Sequence, residues 1–265
     1  MGLLLKLKPK QRTSWKIFFK HALEMYQTDQ FIGLPFGKGG YGYVGNPFSR
    51  VILEHLHKYS GFSEQFRPIL LVKSLEVLDS LIPLTPVQRN LVQKWWPGNL
   101  IFAFSADELP TELPISTTTT PLDASFHTAF HALLPQLLSL SSTNHLFVQV
   151  SPHPITQDVF TFLEEQHLPP IMIGFLAEDE PGVPVVDAES FLNEFADRNL
   201  GVILSGGRLQ KGSRPLPSTI ITGATPESIQ IIQVGLIAQS QLEEIYSPQT
   251  NENDEDNEGD KFDGF

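Results

Sequence analysis

The sequence predicts an α/β domain, and three observations carry that expectation. Short apolar, β-prone runs alternate with stretches of helical periodicity along most of the chain. A helix running into Trp95-Trp96 must stop at Pro97, which lacks an N–H and clashes with a continuing helix. Gly98 then permits a tight reversal into Leu100-Ile101-Phe102-Ala103-Phe104, a run apolar enough for a strand covered on both faces.

The elements follow in order. Residues 1–12 read as a short strand or arm. A helix from Ser14 to Tyr26 carries Trp15, Phe18, Phe19, Ala22, Leu23 and Tyr26 at helical spacing, capped by Ser14 or Thr13. Phe31–Pro35 is a strand, followed by the loop Gly37-Lys38-Gly39-Gly40-Tyr41-Gly42. Such loops bring backbone N–H groups close to phosphates. The glycine spacing and the missing Ser or Thr after Lys38 depart from the P-loop pattern, so a plain turn is the simpler reading. Ser49–Tyr59 is helical with Val51, Ile52, Leu53, Leu56 and Tyr59 on its apolar side, and Arg67-Pro68 leads into the strand Ile69–Val72. Ser74 caps a helix through Leu81, and Thr85-Pro86 starts the next.

Residues 105–144 interrupt the rhythm as an insertion: prolines and four consecutive threonines form a loop. Asp123 then caps a helix with Phe126, Ala129, Phe130, Leu133 and Leu134 on one side. His127 and His131 stand four apart there, a metal-ligand spacing, but nothing of motif spacing completes a site and no metal is expected. Downstream, strands at 146–150, 170–175, 202–204, 218–222 and 229–234 alternate with helices at 155–166, 187–195 and 240–246. No internal repeat is present.

Composition narrows the chemistry. The 265 residues contain no cysteine, which excludes disulfides, thiolate metal sites and cysteine nucleophiles. No apolar run approaches the ~20 residues of a membrane-spanning helix. The net charge of −12 is unevenly spread. The first twenty residues hold Lys6, Lys8, Lys10, Arg12, Lys16 and Lys20, while residues 247–265 set seven carboxylates against Lys261 and read as a disordered acidic tail. A basic arm suits phosphate backbones, ribosomes or anionic membrane surfaces, and a solvated face serves equally as an explanation. Because residues 1–23 are acid-free, an organelle transit peptide is the competing reading to a cytoplasmic protein.

Taken together, these landmarks resemble the YrdC-like family of threonylcarbamoyl-adenylate synthases over roughly residues 28–246. Trp96-Pro97-Gly98-Asn99-Leu100 before an apolar strand is similar to the family's WPGPLT segment. Pro35 near Tyr41-Gly42 resembles its Pro-Thr-x-Thr-x-Tyr-Gly, and Arg67-Pro68 before a strand resembles its Lys-x-Arg…Lys-Pro-Leu. Leu204-Ser205-Gly206-Gly207 followed by Pro217-Ser218-Thr219-Ile220-Ile221 is similar to Asp-Gly-Gly…Pro-Ser-Thr-Val-Val, with Val234-Gly235-Leu236-Ile237 like its close. The resemblance implies a twisted mixed sheet flanked by helices with a helical and loop insertion. It divides the chain into an arm and helix (1–27), the family domain (28–246) and the tail (247–265).

Active members convert ATP, threonine and bicarbonate to threonylcarbamoyl-adenylate and pyrophosphate, for the threonylcarbamoyladenosine modification of transfer RNA. The residues for that chemistry are largely replaced here. Phe36, Gly37 and Lys38 stand at the threonine motif, and Gly61 and Ser63 at the Lys-x-Arg pair, unless a shifted alignment recruits Lys58. Gln149 and Gln233 stand at two arginines, and Phe175 and Ala177 at the Ser-x-Asn signature. Lys38, Lys58, Arg67, Ser218 and Thr219 remain as nucleotide- or RNA-binding candidates, with no catalytic residue assigned and ATP the cofactor the resemblance allows. Each also has a plainer role: Arg67 paired to a carboxylate, Ser218 and Thr219 held in the sheet, Lys38 solvated.

Three functions are therefore weighed. The favoured one is a catalytically impaired YrdC-like protein binding double-stranded RNA, transfer RNA or a ribosome, since the family's concave surface is held to bind RNA. The alternative is an active synthase using Lys38, Lys58, Arg67 and Ser218. The third is an interaction protein engaging a partner through the insertion and the acidic tail.

Overall fold

The computed structural model describes residues 3–6, 15–60, 66–110, 124–195, 200–211, 214–224 and 229–244. Its elements are β1 (Leu3–Lys6), α1 (Trp15–Gln27), β2 (Phe31–Pro35), β3 (Tyr41–Gly45), α2 (Arg50–Ser60), β4 (Ile69–Val72), α3 (Leu75–Leu81), α4 (Pro86–Trp95) and β5 (Leu100–Ser105). After a turn of 3-10 helix come α5 (Ala124–Ser139), β6 (His145–Val150), α6 (Pro154–Glu165), β7 (Ile171–Leu176), β8 (Glu178–Glu180) and β9 (Val183–Pro184). The chain continues through α7 (Ala188–Phe195), β10 (Leu200–Ser205), β11 (Thr219–Thr222), β12 (Gln230–Gln233) and α8 (Gln239–Glu243).

Among the described residues ten strands form one mixed sheet, ordered β1-β10-β2-β3-β7-β4-β6-β5-β11-β12, while β8 and β9 pair separately. The alternation of side chains along each strand divides the interior into two cores. Leu70 and Val72 of β4 face the larger core, with α2, α3, α4, α5, α7 and α8. Ile69 and Leu71 face the smaller one, with α1 and α6. Tyr26 ties α1 to the sheet by donating to the Ile171 carbonyl at 3.1 Å. β1 lies parallel to β10 at the sheet edge, and Lys6 at its end pairs with Glu189.

The helix boundaries have local causes. Ser74 caps α3 by accepting from the Val77 N–H. Thr85 and Gln88 form a reciprocal capping box on α4, with Pro86 in its first turn. Asp187 Oδ1 accepts from the N–H groups of Glu189 and Ser190 at the start of α7. Trp96 closes α4 as its C-cap and donates its indole N–H to the Leu100 carbonyl at 2.7 Å, which binds helix end to strand start.

Three expectations need correction. Tyr41–Gly45 is not the end of a glycine loop but a fully buried strand, antiparallel to both β2 and β7, because Tyr43 stacks on Phe175 at 4.9 Å and fixes it in the sheet. Val51 and Ala129 face outward, Val51 being 40% exposed, since the apolar stripes of their helices are narrower than the periodicity suggested. Asp123, Ser14, Thr13, the threonine run, and residues 247–265 lie outside the described residues.

Candidate functional site

The glycine-rich connection between β2 and β3 is packed against the protein. Phe36 is fully buried, and its N–H closes the turn on the Gly40 carbonyl at 2.9 Å. Gly37 (φ +100°) and Gly40 (φ +126°) adopt the left-handed region, where a side chain would be strained. The Gly39 N–H donates to Asn99 Oδ1 at 3.2 Å, and the Tyr41 N–H to the Val185 carbonyl at 2.7 Å. The N–H groups of Phe36, Gly39 and Tyr41 are thus engaged within the protein, and the segment forms a tight turn.

Beneath it lies Ser218, fully buried, with no hydrogen-bond partner for its hydroxyl among the described residues. Arg67, half-buried, donates from Nη1 to Gln233 Oε1 at 2.5 Å, and Gln233 Nε2 donates to the Ser218 carbonyl at 3.2 Å. Burial lowers the pKa of Arg67, an effect that nearby Glu178 opposes. Lys38, Arg67 and Ser218 thus share one neighbourhood, Lys38 exposed at its rim. Thr219 is adjacent, but its hydroxyl donates to the Ile237 carbonyl at 2.8 Å and accepts from the N–H groups of Gly235 and Ile237 at 3.0 Å. It holds the turn after β12. Lys58 is exposed in the last turn of α2, whose Ile52 and Leu56 enter the larger core, and it has no place in this network.

The replaced positions are built into the scaffold. Gln149 is fully buried and donates from Nε2 to the carbonyls of Phe36 at 3.1 Å and Gly98 at 2.9 Å. Phe175 belongs to an aromatic cluster with Phe31, Tyr43, Tyr59 and Phe66. The Ala177 N–H donates to the Tyr41 carbonyl. Gly61 and Ser63 lie outside the described residues. His131 contacts the Pro110 carbonyl at 2.8 Å, and no group of three His, Asp or Glu able to hold a metal ion occurs among the described residues.

Sequence reasoning missed four residues that shape this neighbourhood. Asn99 anchors Gly39. Tyr41 donates its hydroxyl proton to the Gly207 carbonyl at 2.7 Å and accepts from the Gly206 N–H at 3.0 Å. Gln210 donates from Nε2 to the carbonyls of Lys38 and Leu216. His153 caps α6 by accepting on Nδ1 from the Ile155 N–H, packs against Gly206, and is held by burial at a pKa of about 4. Asn99 and Tyr41 had a signal, in the Trp-Pro-Gly-Asn turn and in the Tyr-Gly pair after Pro35, while Gln210 and His153 had none.

Ten strands in one mixed sheet, with this turn laid over the start of β11, can be compared with known architectures. A doubly substituted form of Sua5 from P. abyssi superposes with a TM-score of 0.65 at 15% identity, over 93% of this chain and 61% of that one. The chain has the YrdC-like fold. Sua5 from the same organism complexed with L-threonine gives a TM-score of 0.64 over 92% of this chain and 60% of that one, at 15% identity. YciO from E. coli gives 0.62 at 16% identity, over 89% and 97%. The chain spans about six-tenths of the length of the two Sua5 chains. Searches against protein-family models and curated proteins give no match. At these identities the likeness is one of fold. No helix among the described residues is long and apolar enough to cross a membrane.

Proposed function

We propose that this chain is a divergent YrdC-like protein, catalytically impaired, that binds RNA in a translation- or tRNA-related role. The observation that carries the proposal is the fate of Gln149. Where the family resemblance implies an arginine, a neutral side chain is fully buried and committed to two backbone carbonyls. Gln233, at a second such position, accepts from Arg67. Each missing cation removes a charge-assisted hydrogen bond to phosphate, worth roughly 1.5–3 kcal/mol, so triphosphate binding of the family kind is strongly weakened. The exposed Lys38 and the basic residues near the start of the sequence favour a phosphate-bearing polymer. On this reading the protein works in the cytoplasm, in company with RNA or ribosomes.

The test is binding of an RNA duplex across a salt series. Affinity falling about tenfold or more between low and physiological salt is expected from counterion release. Absent or salt-indifferent binding counts against the proposal.

A second reading, an active threonylcarbamoyl-adenylate synthase, is favoured by the unpartnered Ser218 hydroxyl beside the Arg67–Gln233 link. It requires pyrophosphate release that Arg67→Ala abolishes.

A further inference from the structure

The tip of the β2–β3 connection covers two buried polar atoms that lack a partner. Of residues 36–40 only Lys38 is exposed. A Cβ added at Gly37 would meet Asn99 Oδ1 at 2.7 Å and Pro152 at 2.8 Å, and one at Gly39 would overlap Ser218 Oγ. No gap therefore separates the tip from the protein beneath it. Ser218 Oγ and Gln149 Oε1 are buried there without a hydrogen-bond partner among the described residues. Gln149 Nε2 reaches the Phe36 carbonyl, which places its amide against the start of the turn. Closing the turn withholds water from both oxygens and supplies nothing in its place, which is unfavourable.

The base of the connection is fixed, whereas its tip is only stapled. Phe36 and Tyr41 are fully buried, and the Phe36 N–H closes the base on the Gly40 carbonyl at 2.9 Å. Two side-chain amides hold the tip: Asn99 Oδ1 accepts from the Gly39 N–H at 3.2 Å, and Gln210 Nε2 donates to the Lys38 carbonyl at 2.5 Å. Water replaces both bonds when the tip lifts, and the base stays in the sheet. Gly37 (φ +100°) and Gly40 (φ +126°) bracket the tip, and glycine crosses between backbone regions that other residues resist. Lifting thus exchanges two staples for the hydration of two unsatisfied oxygens, which sets the closed and lifted forms near one another in free energy. We infer that Gly37–Gly39 is a gate, swinging on Gly37 and Gly40, that controls the access of solvent and small ligands to the Ser218 hydroxyl. The inference stands on this geometry and does not depend on RNA binding.

Because the chain has no cysteine, one introduced thiol can report on the gate. The test is the rate of iodoacetamide labelling of Ser218→Cys in the full chain, in water and in low urea. The control is Val148→Cys, at a fully buried position of β6. The Ser218→Cys thiol should react about a hundredfold faster than the control or more, with little urea dependence, because lifting the tip exposes far less surface than global unfolding. Adding Asn99→Ala should speed it about fivefold further, the factor of one net hydrogen bond. Equal rates and equal urea dependence for the two thiols would overturn the inference, since only global unfolding would then uncover position 218. Sulfur is larger than oxygen and sits against Gly39, so hydrogen exchange of the unsubstituted chain is the second arm. There the Gly39 N–H should exchange about a hundredfold faster than the Phe36 N–H at the base. Exchange of both only through global unfolding would overturn the inference whatever the thiols show. Neither measurement reads RNA affinity, so failure here leaves the RNA proposal standing.

Discussion

Gly39 lies directly on Ser218: a Cβ added at Gly39 would overlap Ser218 Oγ. The glycine is there to let the turn close, and the hydroxyl beneath has no partner among the described residues. Gly39→Ala should therefore destabilise the protein by about 1–3 kcal/mol through overpacking. Ser218→Ala should be neutral or stabilising by up to about 1 kcal/mol, since it removes an unsatisfied buried hydroxyl. The double variant should lose less than Gly39→Ala alone, a coupling readable in urea denaturation. Strict additivity would mean that the two residues do not touch.

Gln149 makes two hydrogen bonds from the centre of the sheet to the glycine turn and to Gly98. Gln149→Ala would leave both carbonyls without that donor, at a cost of about 2–4 kcal/mol. Gln149→Arg should also destabilise, because its charge would enter a fully buried position. Chemical denaturation checks both variants, and a loss below about 0.5 kcal/mol would show that Gln149 is not structural.

His153 gives the fold a pH dependence of known sign. Burial holds the folded imidazole at about 4, below its ordinary value of 6.5. Between those values the unfolded chain binds the proton and the folded chain does not, so stability is lost as pH falls through that window. Protonation would also remove the Nδ1 acceptor that caps α6. The loss attributable to His153 is about 2–3 kcal/mol by pH 4. His153→Asn keeps a capping oxygen and should flatten this part of the profile, measured as urea midpoint against pH. Identical profiles for the two proteins would contradict the assignment.

Much of the fold was legible because its signals are local. Phe31–Pro35 and Ile69–Val72 form strands over those same residues, and Ser74 and Thr85 cap the helices that the sequence places after them. Tyr41–Gly45 was not legible, since two of its five residues are glycines and its place depends on the distant Phe175. At the site, the order of family-like segments brought Lys38, Arg67, Ser218 and Thr219 together, although they are far apart in sequence. It could not show that Thr219 is committed to the turn at 235–237 or that Lys58 lies elsewhere. Gln210 and His153 carried no signal, because each acts through partners fixed only by the tertiary structure.

The proposed function joins a kept fold to an impaired reaction site. Pyrophosphate release by the full chain with ATP, threonine and bicarbonate, each omitted in turn, tests it most directly. No release above background is expected beside a working synthase control. Release that depends on all three substrates, and disappears in Arg67→Ala, would contradict it.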